Sequence, residues 1–119
     1  MVWWKALGLD LVWVLIFAVI GRLSHAEAAD PLGVLVTAWP FVVALIGVSW
    51  IMIGLNRPTV QLLNGAIVWV GTLGFGMWIR ASSGAGVQVG FVIVAGLFLA
   101  LGMFGWRLIA SRRLVRGRR

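Results

Sequence analysis

Hydrophobic residues along this chain collect into four long blocks, separated by short stretches that hold charged residues, glycine and proline. The blocks cover about residues 6–23, 34–55, 60–79 and 87–109, and Asp10 interrupts the first. None alternates apolar and polar residues as a barrel strand does. Each falls in the range of roughly 17–25 residues that carries a helix across a hydrocarbon core of ~30 Å. The pattern therefore predicts an all-α integral membrane protein with four transmembrane helices arranged as two hairpins. Residues 1–110 form the membrane domain and 111–119 a basic tail. The punctuation agrees with the blocks. Pro31 and Gly33 mark the first connection, and RASSGAG (80–86) is a flexible link. Asn56-Arg57-Pro58 is a tight turn, because proline fixes its own φ and disfavours helix at the residue before it.

Composition narrows the class further. Of 119 residues 62% are hydrophobic and 11% charged, with mean hydropathy +1.07, too little polar surface for a soluble domain. The absence of cysteine excludes disulfides, thiolate metal ligation and thiol catalysis. There is no tyrosine to serve a phenolic proton relay. The net charge of +7 does not point to nucleic acid, since the basic residues flank the apolar blocks and no aromatic stacking platform accompanies the arginines. The expected partner is the lipid bilayer. Arg112, Arg113 and Arg116 in the tail are expected to meet anionic headgroups, at about 1 kcal/mol per basic residue.

Basic flanks also set the orientation. With both termini cytoplasmic, that side holds Lys5, Arg57, Arg107, Arg112, Arg113, Arg116, Arg118 and Arg119, eight of the ten basic residues. The other side keeps Arg22 and Arg80 together with Glu27 and Asp30. Ala26-Glu27-Ala28 matches the small-x-small pattern of a signal-peptide cleavage site. Asp10 is out of place in a signal core, however, and the charge count works with the first helix retained, so no cleavage is expected. Trp3, Trp4, Trp78 and Trp106 stand near span ends, as interfacial anchors do, whereas Trp13, Trp50 and Trp69 lie deeper and suit packing. Spans one and three share a loose pattern (DLVW, 10–13; NGAIVW, 64–69), as do spans two and four (PFVV, 40–43; GFVI, 90–93). An internal parallel duplication is one reading and shared composition the other.

Ionisable residues inside a span each need a reason, since one at the helix centre costs around 2.5–3.5 kcal/mol on insertion scales. Asp10 lies about a turn inside the first span. One reading pairs it with Lys5 or Arg57; the other makes it a proton- or cation-binding carboxylate facing the interior, with Asn64 and Gln61 completing a polar pocket. Arg22 and Arg80 each close a helix at the opposite face, within loop reach of His25, Glu27 and Asp30. They either snorkel to water or form an anion site at the outer mouth, because guanidinium recognises carboxylate and phosphate through paired hydrogen bonds. His25 is the only histidine, too few for a metal site, and no cofactor is expected. Gly71, Gly74 and Gly76 in one helix, and Gly86 with Gly90 at the start of the next, are the small residues that permit close helix approach. They predict that the third and fourth helices form the tightly packed centre of a bundle or of a dimer.

Several segments together resemble one family: Asp10 in a first helix ending in GRLSH (21–25), then WPF (39–41), GMWIR (76–80), GFVIVA (90–95) and GWR (105–107). The chain resembles a small prokaryotic membrane protein family known as domain of unknown function 3054, and the resemblance touches all four helices. It implies a compact four-helix protein of a prokaryotic cytoplasmic membrane and brings no reaction or mapped site with it. No metal-spaced cluster, phosphate loop or nucleophile beside a base is present, so enzymatic activity is not expected. Two functions stand: a small solute or ion transport subunit acting as a homo-oligomer, or a non-catalytic accessory or assembly subunit of a larger membrane complex.

Overall fold

The computed structural model describes residues 3–24, 31–84, 86 and 88–117. Four helices account for nearly all of them: α1 (Trp3–Ser24), α2 (Pro31–Gly54), α3 (Leu62–Ser82) and α4 (Val89–Gly117). There is no strand among the described residues. All four helices are long and apolar enough to cross a membrane, and large hydrophobic side chains stand exposed on every one of them. In water such surface would be unfavourable by about 25 cal/mol per Å²; against lipid tails it is neutral. The molecule is built as a multi-pass membrane protein.

The ends of the helices follow from local chemistry. After Gly54 the chain closes a Schellman motif. The Asn56 N–H bonds the Ile53 carbonyl at 3.0 Å and the Arg57 N–H bonds the Met52 carbonyl at 2.9 Å. Asn56 supplies the left-handed residue this motif needs, at φ 57°, and Pro58 then prevents the helix from resuming. At the end of α3 the same role falls to Gly84, at φ +89°, with the Ser83 hydroxyl folding back onto the Arg80 carbonyl at 2.8 Å. α4 outruns the apolar block that announced it. Residues 110–117 contain nothing that breaks a helix before Gly117, so part of the expected tail continues α4.

α1 packs on α2 and α4, and α3 packs on the same two, so the helices form a four-sided ring. The interior is a continuous apolar column that includes Val14, Phe41, Leu45, Val68, Leu99 and Met103. Two tryptophans grip α4 from either side. Trp13 of α1 donates its indole N–H to the Phe98 carbonyl at 2.8 Å, and Trp69 of α3 does the same to the Gly96 carbonyl at 2.9 Å. Trp13 also stacks on Phe98, with ring centroids 4.6 Å apart, and Gly102 leaves room for its ring. Trp50, which shares their depth in the sequence pattern, is 66% exposed and faces out of the bundle.

The glycines divide by what stands beside them. Gly71 and Gly76 do mediate close approach, but to α2: a side chain at Gly71 would run into Val48 and one at Gly76 into Phe41. Gly74, Gly86 and Gly90 have open space where a Cβ would stand, and Gly86 precedes α4 altogether. Through Gly71 and Gly76, α3 sits close against α2. Spacing alone identifies small residues without saying which neighbour their face meets.

Candidate functional site

The two ends of the bundle differ in chemistry. One end gathers the start of α1, the last third of α4 and the α2–α3 turn around a buried ion pair. In α1 the buried positions Ala6, Asp10, Val14 and Ala18 recur every four residues, and in α4 the series is Ala95, Leu99, Met103 and Arg107. Residues four apart share a helix face. Asp10 and Arg107 therefore occupy core positions of two adjacent helices, and they meet.

Arg107 is fully buried and Asp10 is 1% exposed. The guanidinium grips the carboxylate through two parallel bonds, Nη1 to Oδ1 at 3.0 Å and Nη2 to Oδ2 at 2.7 Å. Two more of its donors are placed, with Nε on the Thr59 carbonyl at 2.7 Å and Nη1 on the Met103 carbonyl at 3.1 Å. The Trp106 indole N–H donates to Asp10 Oδ1 at 2.8 Å, and its ring lies 4.3 Å from the guanidinium carbon. Gly65 of α3 makes room for the arginine stem. This clasp ties α1, α4 and the turn before α3 into one unit.

The clasp revises several expectations. Asp10 is bound to neither Lys5 nor Arg57. Lys5 rests over the Trp4 ring at 5.4 Å and Arg57 is exposed. Asn64 is buried, yet its side-chain amide donates to the Pro58 carbonyl at 2.9 Å and to Gln61 Oε1 at 3.2 Å. It braces the turn whose next carbonyl, that of Thr59, receives Arg107. Trp106 serves the ion pair, besides standing near the end of its span. Arg107 is the site residue that charge patterning hides. In the sequence it reads as one more basic residue on the cytoplasmic flank of the fourth block, although the spacing Leu99, Met103, Arg107 places it on the core face.

The opposite end holds a cavity of about 1000 Å³, lined by residues from all four helices and the α3–α4 link. Arg22 and Arg80, which end α1 and α3, both line it. Arg22 donates to the Thr37 hydroxyl at 3.2 Å and fills the space that Gly33, lacking a Cβ, leaves beside α2. Arg80 donates through Nε to the Gly86 carbonyl at 2.8 Å, and its guanidinium lies over the Phe91 ring at 4.5 Å. Beneath the arginines the wall is aromatic: Phe17 sits 6.0 Å from Phe91 and 5.8 Å from Phe98. Pro40 of α2 belongs to the same wall; having no N–H, it leaves one helical hydrogen bond of α2 unmade.

Gly86 and Gly90, expected at a helix seam, instead border this cavity. His25, Glu27 and Asp30 lie outside the described residues, as do the side chains of Arg113 and Arg116; Arg112 is exposed. No cluster of three metal-ligating side chains occurs among the described residues.

No curated protein and no solved structure matches the chain. One family model does, described as "Protein of unknown function (DUF3054)", and it covers residues 7–110, taking in parts of all four helices, the arginine-lined cavity and the Asp10–Arg107 clasp. The chain belongs to the DUF3054 family.

Proposed function

We propose that the protein is a small transport subunit of the cytoplasmic membrane, its helices paired as two hairpins with both termini inside. The observation that carries this reading is the asymmetry of the bundle. An arginine-lined cavity of about 1000 Å³ opens at one end, while a fully buried ion pair closes the other. Such a cavity is large enough for a small organic ligand. A solute held there faces an apolar column and then the clasp, so passage requires the Asp10–Arg107 pair to part. That is the form of an alternating-access device: a site open to one side and a closure that can be exchanged for another. The charge asymmetry supports the orientation, because the clasp end carries Lys5, Arg57 and Arg112 and the cavity end Arg22 and Arg80. The cavity then faces outward.

The test is reconstitution. Purified protein in liposomes is screened for flux of small anions, cations and labelled lipids, with Arg80→Gln and Asp10→Asn run in parallel. The expected result is flux that Arg80→Gln lowers at least tenfold, from a particle containing several copies of this chain. No flux of any solute, together with stoichiometric co-isolation of a second protein, would replace the transport reading with an accessory one.

A further inference from the structure

The lining of the outer cavity is sorted by depth. Arg22, Arg80, Ser83 and Gln88 stand at or beside the helix ends around the mouth, with Thr37 nearly two turns inside α2 and bonded to Arg22. Below them the described lining is apolar, with Phe17 and Ile20 on α1 and Phe91, Val94 and Phe98 on α4. From Gly90 to Phe98 is eight residues of α4, or ~12 Å of depth at 1.5 Å per residue. A ligand matched to this space has an anionic head and an apolar body about that long, oriented head outward.

The sides of the cavity say where such a ligand comes from. Ile20 and Val94 line it from α1 and α4 and are 44% and 61% exposed. The two helices meet through Trp13 on Phe98, through the clasp and through Phe17 on Phe91, whose ring centroids lie 6.0 Å apart. Ile20 and Val94 are left uncovered beside these contacts, which gives the cavity a side approach between α1 and α4. Arg80 is held in place by the Gly86 carbonyl and the Phe91 ring, and Arg22 by Thr37, so two guanidinium groups are fixed at the cavity before any ligand arrives.

We infer that the cavity binds an anionic phospholipid, loaded laterally between α1 and α4. Its phosphate headgroup sits on Arg22 and Arg80, and its upper acyl chain lies against Phe17, Phe91 and Phe98. The inference rests on the cavity being the substrate site of the reading above, and it names the substrate class. Guanidinium suits it because its planar fork matches phosphate oxygens in pairs, and the apolar lower wall excludes a small hydrated anion from the deeper part.

Trp39 also lines the cavity and serves as a reporter. The intact protein is placed in phosphatidylcholine vesicles containing increasing brominated phosphatidylglycerol, or brominated phosphatidylcholine as control. Quenching of Trp39 is taken as the difference between wild type and Trp39→Phe. The expected result is half-quenching at a several-fold lower mole fraction of the anionic lipid. Arg22→Gln/Arg80→Gln is expected to bring the two lipids to parity. So is Gly90→Leu, which keeps both arginines and places a side chain where nothing now stands. Gly90→Leu keeps the test decisive if the double arginine variant fails to insert. Equal quenching by the two lipids in the wild type would overturn the inference. So would a preference that survives in both variants, which places it at the basic end of α4, or one abolished by inorganic phosphate at constant ionic strength, which makes the site one for free anions. A lipid preference without flux leaves the inference standing and ends the transport reading; flux without the preference does the reverse.

Discussion

Arg107 uses four of the five N–H donors a guanidinium carries: two on Asp10, one on Thr59 and one on Met103. A buried pair of this kind is not a large net source of stability, because desolvating both ions offsets most of their attraction. Its energetic signature is the penalty for removing one partner alone. Asp10→Ala leaves a guanidinium in the core without a counter-charge, and Arg107→Leu does the same to the carboxylate, each at a cost of about 3–5 kcal/mol. Asp10→Leu/Arg107→Leu removes both charges and is expected to be more stable than either single variant. Unfolding titrations in mixed micelles measure all four proteins, and additive single-variant losses would refute the pairing. The partnership is hard to read from the chain because the residues are 97 positions apart and each has a plainer local account, Asp10 beside Lys5 and Arg107 beside the tail arginines. What is readable is phase. Both residues continue a four-residue repeat of buried positions, and a charge in such a repeat calls for a partner on a neighbouring helix.

At the level of the element, α3 separates two meanings of glycine. Gly71 and Gly76 lie where α2 leaves no room for a methyl group, and Gly74 points to open space between them. Gly71→Ala and Gly76→Ala are therefore expected to destabilise the bundle by about 1–3 kcal/mol through overpacking against Val48 and Phe41. Gly74→Ala is expected to be neutral or to stabilise by up to about 1 kcal/mol, from the helix propensity it adds. Thermal unfolding of the three variants in one detergent checks the order, and a destabilising Gly74→Ala would mean that this face is covered. The number of helices is legible from block length alone, since nothing but a helix satisfies its own backbone across a membrane. The seam they share is not, because Gly86 and Gly90 have the same spacing as a packing motif yet border a cavity.

The whole molecule combines a closed end and an open one, and the Asp10–Arg107 clasp joins α1 to α4 only on the closed side. Breaking the clasp should therefore open that end, the inner one in the proposed orientation, while leaving the arginine-lined cavity as it is. The chain has no cysteine, so single thiols report this cleanly. Ser49 of α2 is 2% exposed and lies five residues from the clasp end of its helix, and serine to cysteine changes its volume little. Val94 lines the outer cavity. In inside-out and right-side-out vesicles, Val94→Cys is expected to react with a membrane-impermeant maleimide from the outer face only. Ser49→Cys is expected to stay unreactive from either side. Adding Arg107→Leu should make Ser49→Cys reactive from the inner face, by at least tenfold in rate, and leave Val94→Cys unchanged. If Ser49→Cys stays silent in that background, the apolar column beneath the cavity closes the inner end without help, and Asp10 with Arg107 positions helices and gates nothing. If Val94→Cys reacts from the inner face instead, the orientation is reversed, and the arginine-lined cavity draws on the cytoplasmic leaflet.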